Sequence, residues 1–405
     1  MVKHSLIALA IASTAATADI SAETEQEYIA DFSLQTFMYP SEQASWYWQN
    51  LDKVLPYATL TKGSQSKPLE RNLITPENVH QTRFNDQSLG SLLTGSNPSI
   101  NSMMIIQNGK VIFEHFNMPY DSQHVWMSNA KSIAGLLVAL LEEEGKLDVV
   151  EPLSTYMPEL ADTSWGSTRI IDILNMQSGL DAEENDTARA NPDSHITQLF
   201  FAEIEAKGDY YQTLIDIPRK SDAAKAFEYS SANTQILGLL IAKVEGKPLY
   251  QVMNERIWAK AGMSDYGYIT LTPDGHEVIH GLMTSNTEDM ARYAMLYTDS
   301  WQATSDERII SPSVVKTIQQ SVTPGVYTVS PASEQFITMT ADEPVGGSYQ
   351  FDAIWDDGDM FKGGMRGQGI YISPAKDTVA VWFSNRIEKY NVAGFVRNFV
   401  KDLEK

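Results

Sequence analysis

The sequence predicts an α/β (α+β) fold: an antiparallel sheet made from both ends of the chain, flanked by helices, with a mainly helical region inserted between the ends. Three observations carry this. Residues 102–116 read SMMIIQNGKVIFEHF, two β-rich runs about Asn108-Gly109, the strongest short hairpin signal. Residues 369–372 and 378–384 form a second pair of β-rich runs, joined by the turn-like Pro374-Ala375-Lys376-Asp377. Between the pairs the chain reads as helices and loops, and strands joined by tight turns favour antiparallel pairing over βαβ units.

Residues 1–18 read as a secretory signal peptide. Lys3 and His4 form a basic start, residues 6–12 an apolar run too short to span a bilayer, and Ala16-Thr17-Ala18 a small-residue cleavage site; a second such site ends at Ala22. This leader implies a periplasmic or secreted protein, with no membrane insertion once it is removed. Residues 19–95, mixed and aromatic-rich, are expected to pack as an extension on a main domain of residues 96–405. Within that domain the sheet is assigned to about 96–127 and 275–405, and the helical insertion to about 132–270.

Residues 128–145, SNAKSIAGLLVALLEEEG, repeat apolar side chains at Ile133, Leu136, Leu137, Leu140 and Leu141, the stripe of a helix buried on one face. Residues 232–246 form another such helix with a glycine near its end. Ser285 and Glu288 read as a capping box before a helix over 289–297, and an amphipathic helix over 392–403 closes the chain.

Composition bounds the chemistry. There are no cysteines, which excludes disulfides, a thiolate nucleophile and thiolate metal sites. A net charge of −22 disfavours nucleic acid and anionic membranes as partners. Oligomeric state is not encoded in any of these signals.

The chemistry-bearing motif is Ser128-Asn129-Ala130-Lys131. Residues i and i+3 share a helix face, so Lys131 can reach the Ser128 hydroxyl, and a serine with its own base is a candidate nucleophile. A free lysine is protonated at neutral pH, so the base must be desolvated or set among other cations. A helix N-terminus suits this, because its macrodipole disfavours the ammonium and favours an alkoxide. Ser64…Lys67, Ser313…Lys316 and Ser373…Lys376 repeat the spacing, but Lys67 and Ser373 each precede a proline. A plain helix cap is the alternative role of Ser128.

Two further segments carry weight only together with the first. Tyr229-Ser230-Ser231 approaches the second buried-face helix, and its phenol can shuttle a proton. Gly363-Gly364-Met365-Arg366-Gly367-Gln368-Gly369 leads into a strand, where glycines permit close backbone approach and a strand-edge N–H can complete an oxyanion hole.

SxxK, a tyrosine motif after an inserted helical region, and a glycine-bearing strand, in that order, resemble the serine hydrolases of the class C β-lactamase and penicillin-binding-protein superfamily. The similarity spans roughly residues 100–400 and is greatest to 6-aminohexanoate-dimer hydrolases and related esterases. Residues 172–180, DILNMQSGL, resemble a loop of that family, and residues 48–56, WQNLDKVLP, resemble its N-terminal stretch. The resemblance implies a β-lactamase/transpeptidase-like fold and an exported hydrolase of a small-molecule amide or ester, working through an acyl-enzyme and needing no cofactor. It assigns Ser128 as nucleophile, Lys131 as base and Tyr229 as proton shuttle. The oxyanion hole falls to the backbone N–H groups of Ser128 and Gln368, and substrate binding to Ser231, Arg366 and Gly367. The family's Tyr-x-Asn is here Tyr229-Ser230-Ser231, and its Lys-Thr-Gly is read as Met365-Arg366-Gly367, which predicts weak or absent β-lactamase activity.

Other readings stay open. A D-amino-acid peptidase or β-lactamase-type activity fits the same scaffold. His276-Glu277-Val278-Ile279-His280 matches the H-E-x-x-H zinc-protease pattern, although Gly275, Gly281 and two β-branched residues argue for a strand or loop. A non-catalytic binding protein on a hydrolase scaffold is the third. Tyr210, Tyr211 and Trp165 are candidate pocket residues of the inserted region.

Overall fold

The protein is described by a computed structural model covering residues 20–64, 66–328, 330–385 and 392–404. The leader expected at residues 1–18 lies outside the described residues. The strands that position the site are β1 Tyr57–Leu60, β2 Glu70–Arg71, β3 Ile100–Gln107, β4 Lys110–Phe116, β5 His124–Val125 and β6 Gly267–Thr270, followed by β7 Met283–Ser285, β8 Gly346–Ser348, β9 Phe351–Ile354, β10 Met360–Gly364, β11 Gln368–Ser373 and β12 Thr378–Ser384. The longer helices are α1 Lys131–Glu143, α2 His195–Glu205, α3 Ser231–Glu245, α4 Thr287–Met295 and α5 Val392–Asp402.

The large sheet runs β8-β9-β10-β11-β12-β3-β4-β2. The two ends of the chain meet where β12 pairs antiparallel with β3, Val381 opposite Met104. Asn108 and Gly109 both take positive φ, 50° and 74°, as a two-residue turn matching the twist of β3 and β4 requires. Strand alternation then buries both faces. Met104, Ile106, Val379, Val381, Ile370 and Ile372 join the core of α1, α3 and α4, while Met103, Ile105, Ala380, Trp382 and Tyr371 pack with α5. A second, four-stranded sheet has the order β1-β6-β7-β5. The chain between α1 and β6 is mainly helical.

The N-terminal extension is more deeply joined than packing alone implies. Its strand β1 pairs with β6, and β2 adds a parallel edge to β4. Both supply backbone partners to strand edges that would otherwise stay open. Two helix starts also differ from expectation. The predicted helix over 128–145 is a 3-10 turn, Met127–Ala130, that becomes α-helical only at Lys131. The cap of α4 is Asn286, whose side chain accepts from the Asp289 N–H at 2.7 Å, while Glu288 turns to Arg292 instead of closing a capping box.

One close approach matters for the site. A Cβ on Gly135 of α1 would lie 1.9 Å from the Tyr349 carbonyl oxygen. Only glycine lets α1 press on the corner where Tyr349 and Gln350 take φ of 47° and 71°, just before β9.

Candidate active site

Ser128 follows β5 after Trp126 and Met127. Met127, at φ 49°, occupies a left-handed conformation that disfavours side chains, and its side chain is anchored in a cluster with Phe37, Trp48, Val125 and Tyr268. Trp126 and Met127 are buried and Asn129 and Ala130 are buried; Ser128 between them is partly exposed. The turn thus presents one hydroxyl from a buried stretch. Ser128 is not a helix cap, since the caps flanking this turn are Trp126 and Lys131.

Lys131 is fully buried. Its Nζ lies 3.2 Å from Ser128 Oγ, 2.8 Å from Ser231 Oγ and 2.7 Å from the His280 carbonyl oxygen. The carbonyl can only accept, so one N–H points at His280. With a second N–H on Ser231, a neutral amine has its lone pair left for the Ser128 hydroxyl. Burial drives the Lys131 ammonium down to about 7, helped by Lys362 and Arg189 and opposed by Glu184 and Asp352. The other SxxK lysines go elsewhere. Lys67 bonds the Gln302 and Ser305 carbonyls, Lys316 is exposed on a helix, and Lys376 reaches the carbonyls of Lys401 and Leu403.

The Tyr229 ring is 5.3 Å from Lys131 Nζ, and Ser231 begins α3. The loop of residues 175–180 fixes this segment: Glu228 N–H donates to the Met176 carbonyl at 2.7 Å, and Ser230 N–H reaches the Met176 sulfur at 3.4 Å. Met176 and Gly179 hold φ of 57° and 71°.

Lys362, which sequence reasoning missed, also meets the tyrosine, its Nζ 4.7 Å from the Tyr229 ring centre. It is fully buried on β10 and donates to the Tyr229 hydroxyl at 3.1 Å. It also bonds Asp352 directly across the sheet, and Asp352 takes the Gly363 N–H at 2.8 Å. Burial pushes the lysine down and the carboxyl up, and their mutual contact opposes both shifts. The signals were readable: a single lysine and a single aspartate in apolar strands, the lysine opening Lys362-Gly363-Gly364.

That triplet corrects the placement of the glycine-bearing motif. Gly364 is the residue pressed on the serine turn: a Cβ there would lie 2.9 Å from both Asn129 Nδ2 and the Trp126 carbonyl oxygen. Gln368 lies one strand away, opposite Gly364 on β11, its side chain reaching back to the Met365 carbonyl at 3.4 Å. Arg366 donates to the Met38 carbonyl at 2.8 Å, tying the helix Leu34–Met38 to the β10–β11 turn. Gly367, at φ 81°, completes that turn and accepts from Trp382 Nε1 at 2.6 Å. The structure therefore brings Ser128, Lys131, Tyr229 and Ser231 together, and commits Arg366 and Gly367 to the turn.

Glu184 is a second functional candidate, and nothing in its acid-rich loop singles it out in sequence. It pairs with Arg189 at 3.1 Å and takes the Ser231 N–H at 2.5 Å. Burial would push its carboxyl up, but Lys131, Arg189 and the Ser231 bond hold it at about 2.

His276 and His280 face different partners. His276 packs its ring 5.1 Å from that of Tyr210, whereas His280 Nε2 bonds Glu203 at 2.9 Å. The segment is a loop rather than a helix, so the H-E-x-x-H pattern does not converge, and among the described residues no cluster of three or more metal-ligating side chains forms. Tyr210 and Trp165 are structural, bonding Gln235 and the Leu214 carbonyl, and Tyr211 stacks toward His276.

The family described as Beta-lactamase matches residues 100–397. A 6-aminohexanoate-dimer hydrolase of Paenarthrobacter ureafaciens is 24% identical over 349 residues, 84% of this chain and 85% of that protein. Among solved structures, a Bacillus anthracis protein provisionally named a 6-aminohexanoate-dimer hydrolase superposes with a TM-score of 0.75 at 20% identity, covering 90% of this chain and 94% of the other. EstCE1, a hydrolase with promiscuous acyltransferase activity, superposes with a TM-score of 0.55 at 17% identity over 75% of this chain and 93% of its own.

Proposed function

This chain belongs to the beta-lactamase family of serine hydrolases, which act on amide and ester bonds, and from that premise we propose that it is an exported carboxylesterase or small-amide hydrolase working through an acyl-enzyme on Ser128. Lys131 is the base. As Ser128 Oγ attacks the substrate carbonyl, the hydroxyl proton passes to the Lys131 lone pair. The tetrahedral oxyanion takes the backbone N–H of Ser128 and, in place of the Gln368 N–H expected from sequence, a second N–H at the end of β10, where Met365 follows the Gly364 that abuts the serine turn. Collapse breaks the bond to the leaving amine or alcohol, which receives a proton by way of Tyr229. Water then attacks the acyl-enzyme, loses its proton to the same basic groups and frees Ser128.

The observation that carries this reading is the buried Lys131 amine 3.2 Å from an accessible serine hydroxyl, with its N–H groups engaged by Ser231 and His280. Ser231 supports the base more directly than it supports substrate. Export rests on the leader read in residues 1–18. A panel of short aryl esters, small amides and β-lactams, run on wild type and Ser128→Ala, tests the proposal. Turnover of esters or amides that disappears in Ser128→Ala is expected; turnover that persists in that variant overturns it.

A further inference from the structure

Glu184 is tied to the tyrosine segment twice. Its backbone N–H donates to the Tyr229 carbonyl at 2.7 Å, and its carboxylate takes the Ser231 N–H at 2.5 Å. Ser230, the cap residue between them, makes no side-chain cap bond, so Glu184 supplies from another part of the chain the carboxylate that the start of α3 lacks. The Ser231 hydroxyl in turn accepts from Lys131 Nζ at 2.8 Å. Behind Glu184 stands Arg189, at 3.1 Å, on the short helix Asp186–Ala190. The Glu184 side chain is only 5% exposed, which keeps it from acting as a substrate contact, while its field reaches Lys131 through little water.

We propose that Glu184, moderated by Arg189, is a positioning residue that sets the charge state of Lys131 and holds Tyr229 and Ser231 in register with it. This rests on the reading of Lys131 as the base. Among the described residues, these groups face Lys131 from the elements around it. Ser128 lies on its own turn, and Tyr229 and Ser231 lie at the start of α3. The His280 carbonyl, with Glu203 behind the ring, comes from the loop before β7. Asp352 and Lys362 come from β9 and β10, and Glu184 and Arg189 from the loop after the family-like segment. Lys362 and Asp352 form a direct pair whose charges largely offset each other. Glu184 therefore holds the leading negative charge at Lys131, and Arg189 is its counterweight, in agreement with their opposite effects on that amine.

The test is the pH dependence of kcat/KM on p-nitrophenyl acetate, in variants whose folding is checked by thermal melting. Activity rises as Lys131 loses its proton, so Glu184→Gln, which removes negative charge, moves the acidic limb down by about one pH unit. Arg189→Gln moves it up, and the double variant lies between the two. Glu184→Asp keeps the charge but shortens the reach, so it leaves the limb near its wild-type place while lowering kcat. Shifts in opposite directions are not produced by loosened packing. Limbs that stay within about 0.2 pH unit of wild type in both single variants, or that move the same way, overturn the inference. Ser128→Ala separates this from failure of the mechanism: turnover in that variant refutes the acyl-enzyme itself, whereas an inactive Ser128→Ala with unmoved limbs refutes only the role of Glu184.

Discussion

Replacing Lys131 by methionine should abolish activity and, below neutral pH, stabilise the protein. The folded state holds this amine at about 7 against an ordinary 10.5, a difference worth about 5 kcal/mol at roughly 1.4 kcal/mol per unit. The unfolded chain binds the extra proton between those two values, so wild-type stability rises with pH across that window and carries the full penalty below it. Between pH 6 and pH 9 the Lys131 contribution should improve by roughly 2–3 kcal/mol. Lys131→Met has no such slope. It also leaves the His280 carbonyl and the Ser231 hydroxyl without their donor, a loss of about 1–3 kcal/mol for a buried group, and this loss is nearly independent of pH. The variant should therefore compare most favourably with wild type at pH 6 and least favourably at pH 9. Urea unfolding of both proteins at several pH values measures the difference directly, because every other titrating group cancels to first order. A wild-type-minus-variant difference constant to within about 0.5 kcal/mol over that range would refute the account of Lys131 as a buried, readily neutralised amine.

Lys362→Met should destabilise by about 3–5 kcal/mol because it strands the buried Asp352 carboxylate, and adding Asp352→Asn should restore part of that loss in chemical denaturation. Gly364→Ala should slow fluorophosphonate labelling at least about tenfold, since the new methyl meets the serine turn, while its melting temperature falls by much less than its reactivity. Chromogenic cephalosporins should be poor substrates beside short aryl esters: Gly363 has no hydroxyl to offer a β-lactam carboxylate, and Lys362 is committed to Asp352 and Tyr229. Comparable kcat/KM values for the two substrate types would contradict that.

Local rules made much of this molecule legible. Asn108-Gly109 fixed one hairpin, the apolar stripe of residues 133–141 fixed α1, and the turn-like residues 374–377 fixed the β11–β12 connection, each because a short stretch of chain encodes its own geometry. Ser128, Lys131 and Tyr229, which the fold brings together, stand out as candidates because motif order survives in sequence. What escaped is non-local. Lys362 and Asp352 meet only because β9 and β10 pair, and Glu184 reaches Ser231 across 47 positions of chain. In sequence the glycine motif reads as Met365-Arg366-Gly367, because that run has a cation and a glycine. The residue that must be glycine is Gly364, and the reason lies in Trp126 and Asn129, far away in sequence. Arg366 read as a substrate cation because no local signal shows that the N-terminal helix ends beside it.

The central claim is that Ser128 is the acylated nucleophile. Peptide mass spectrometry after treatment with a fluorophosphonate, on wild type and on Ser128→Ala, tests it most directly. A single adduct on the peptide carrying Ser128, absent from the alanine variant and forming faster as pH rises through about 7, is the predicted result. An adduct on another residue, or no adduct on a folded protein that still hydrolyses esters, would contradict it.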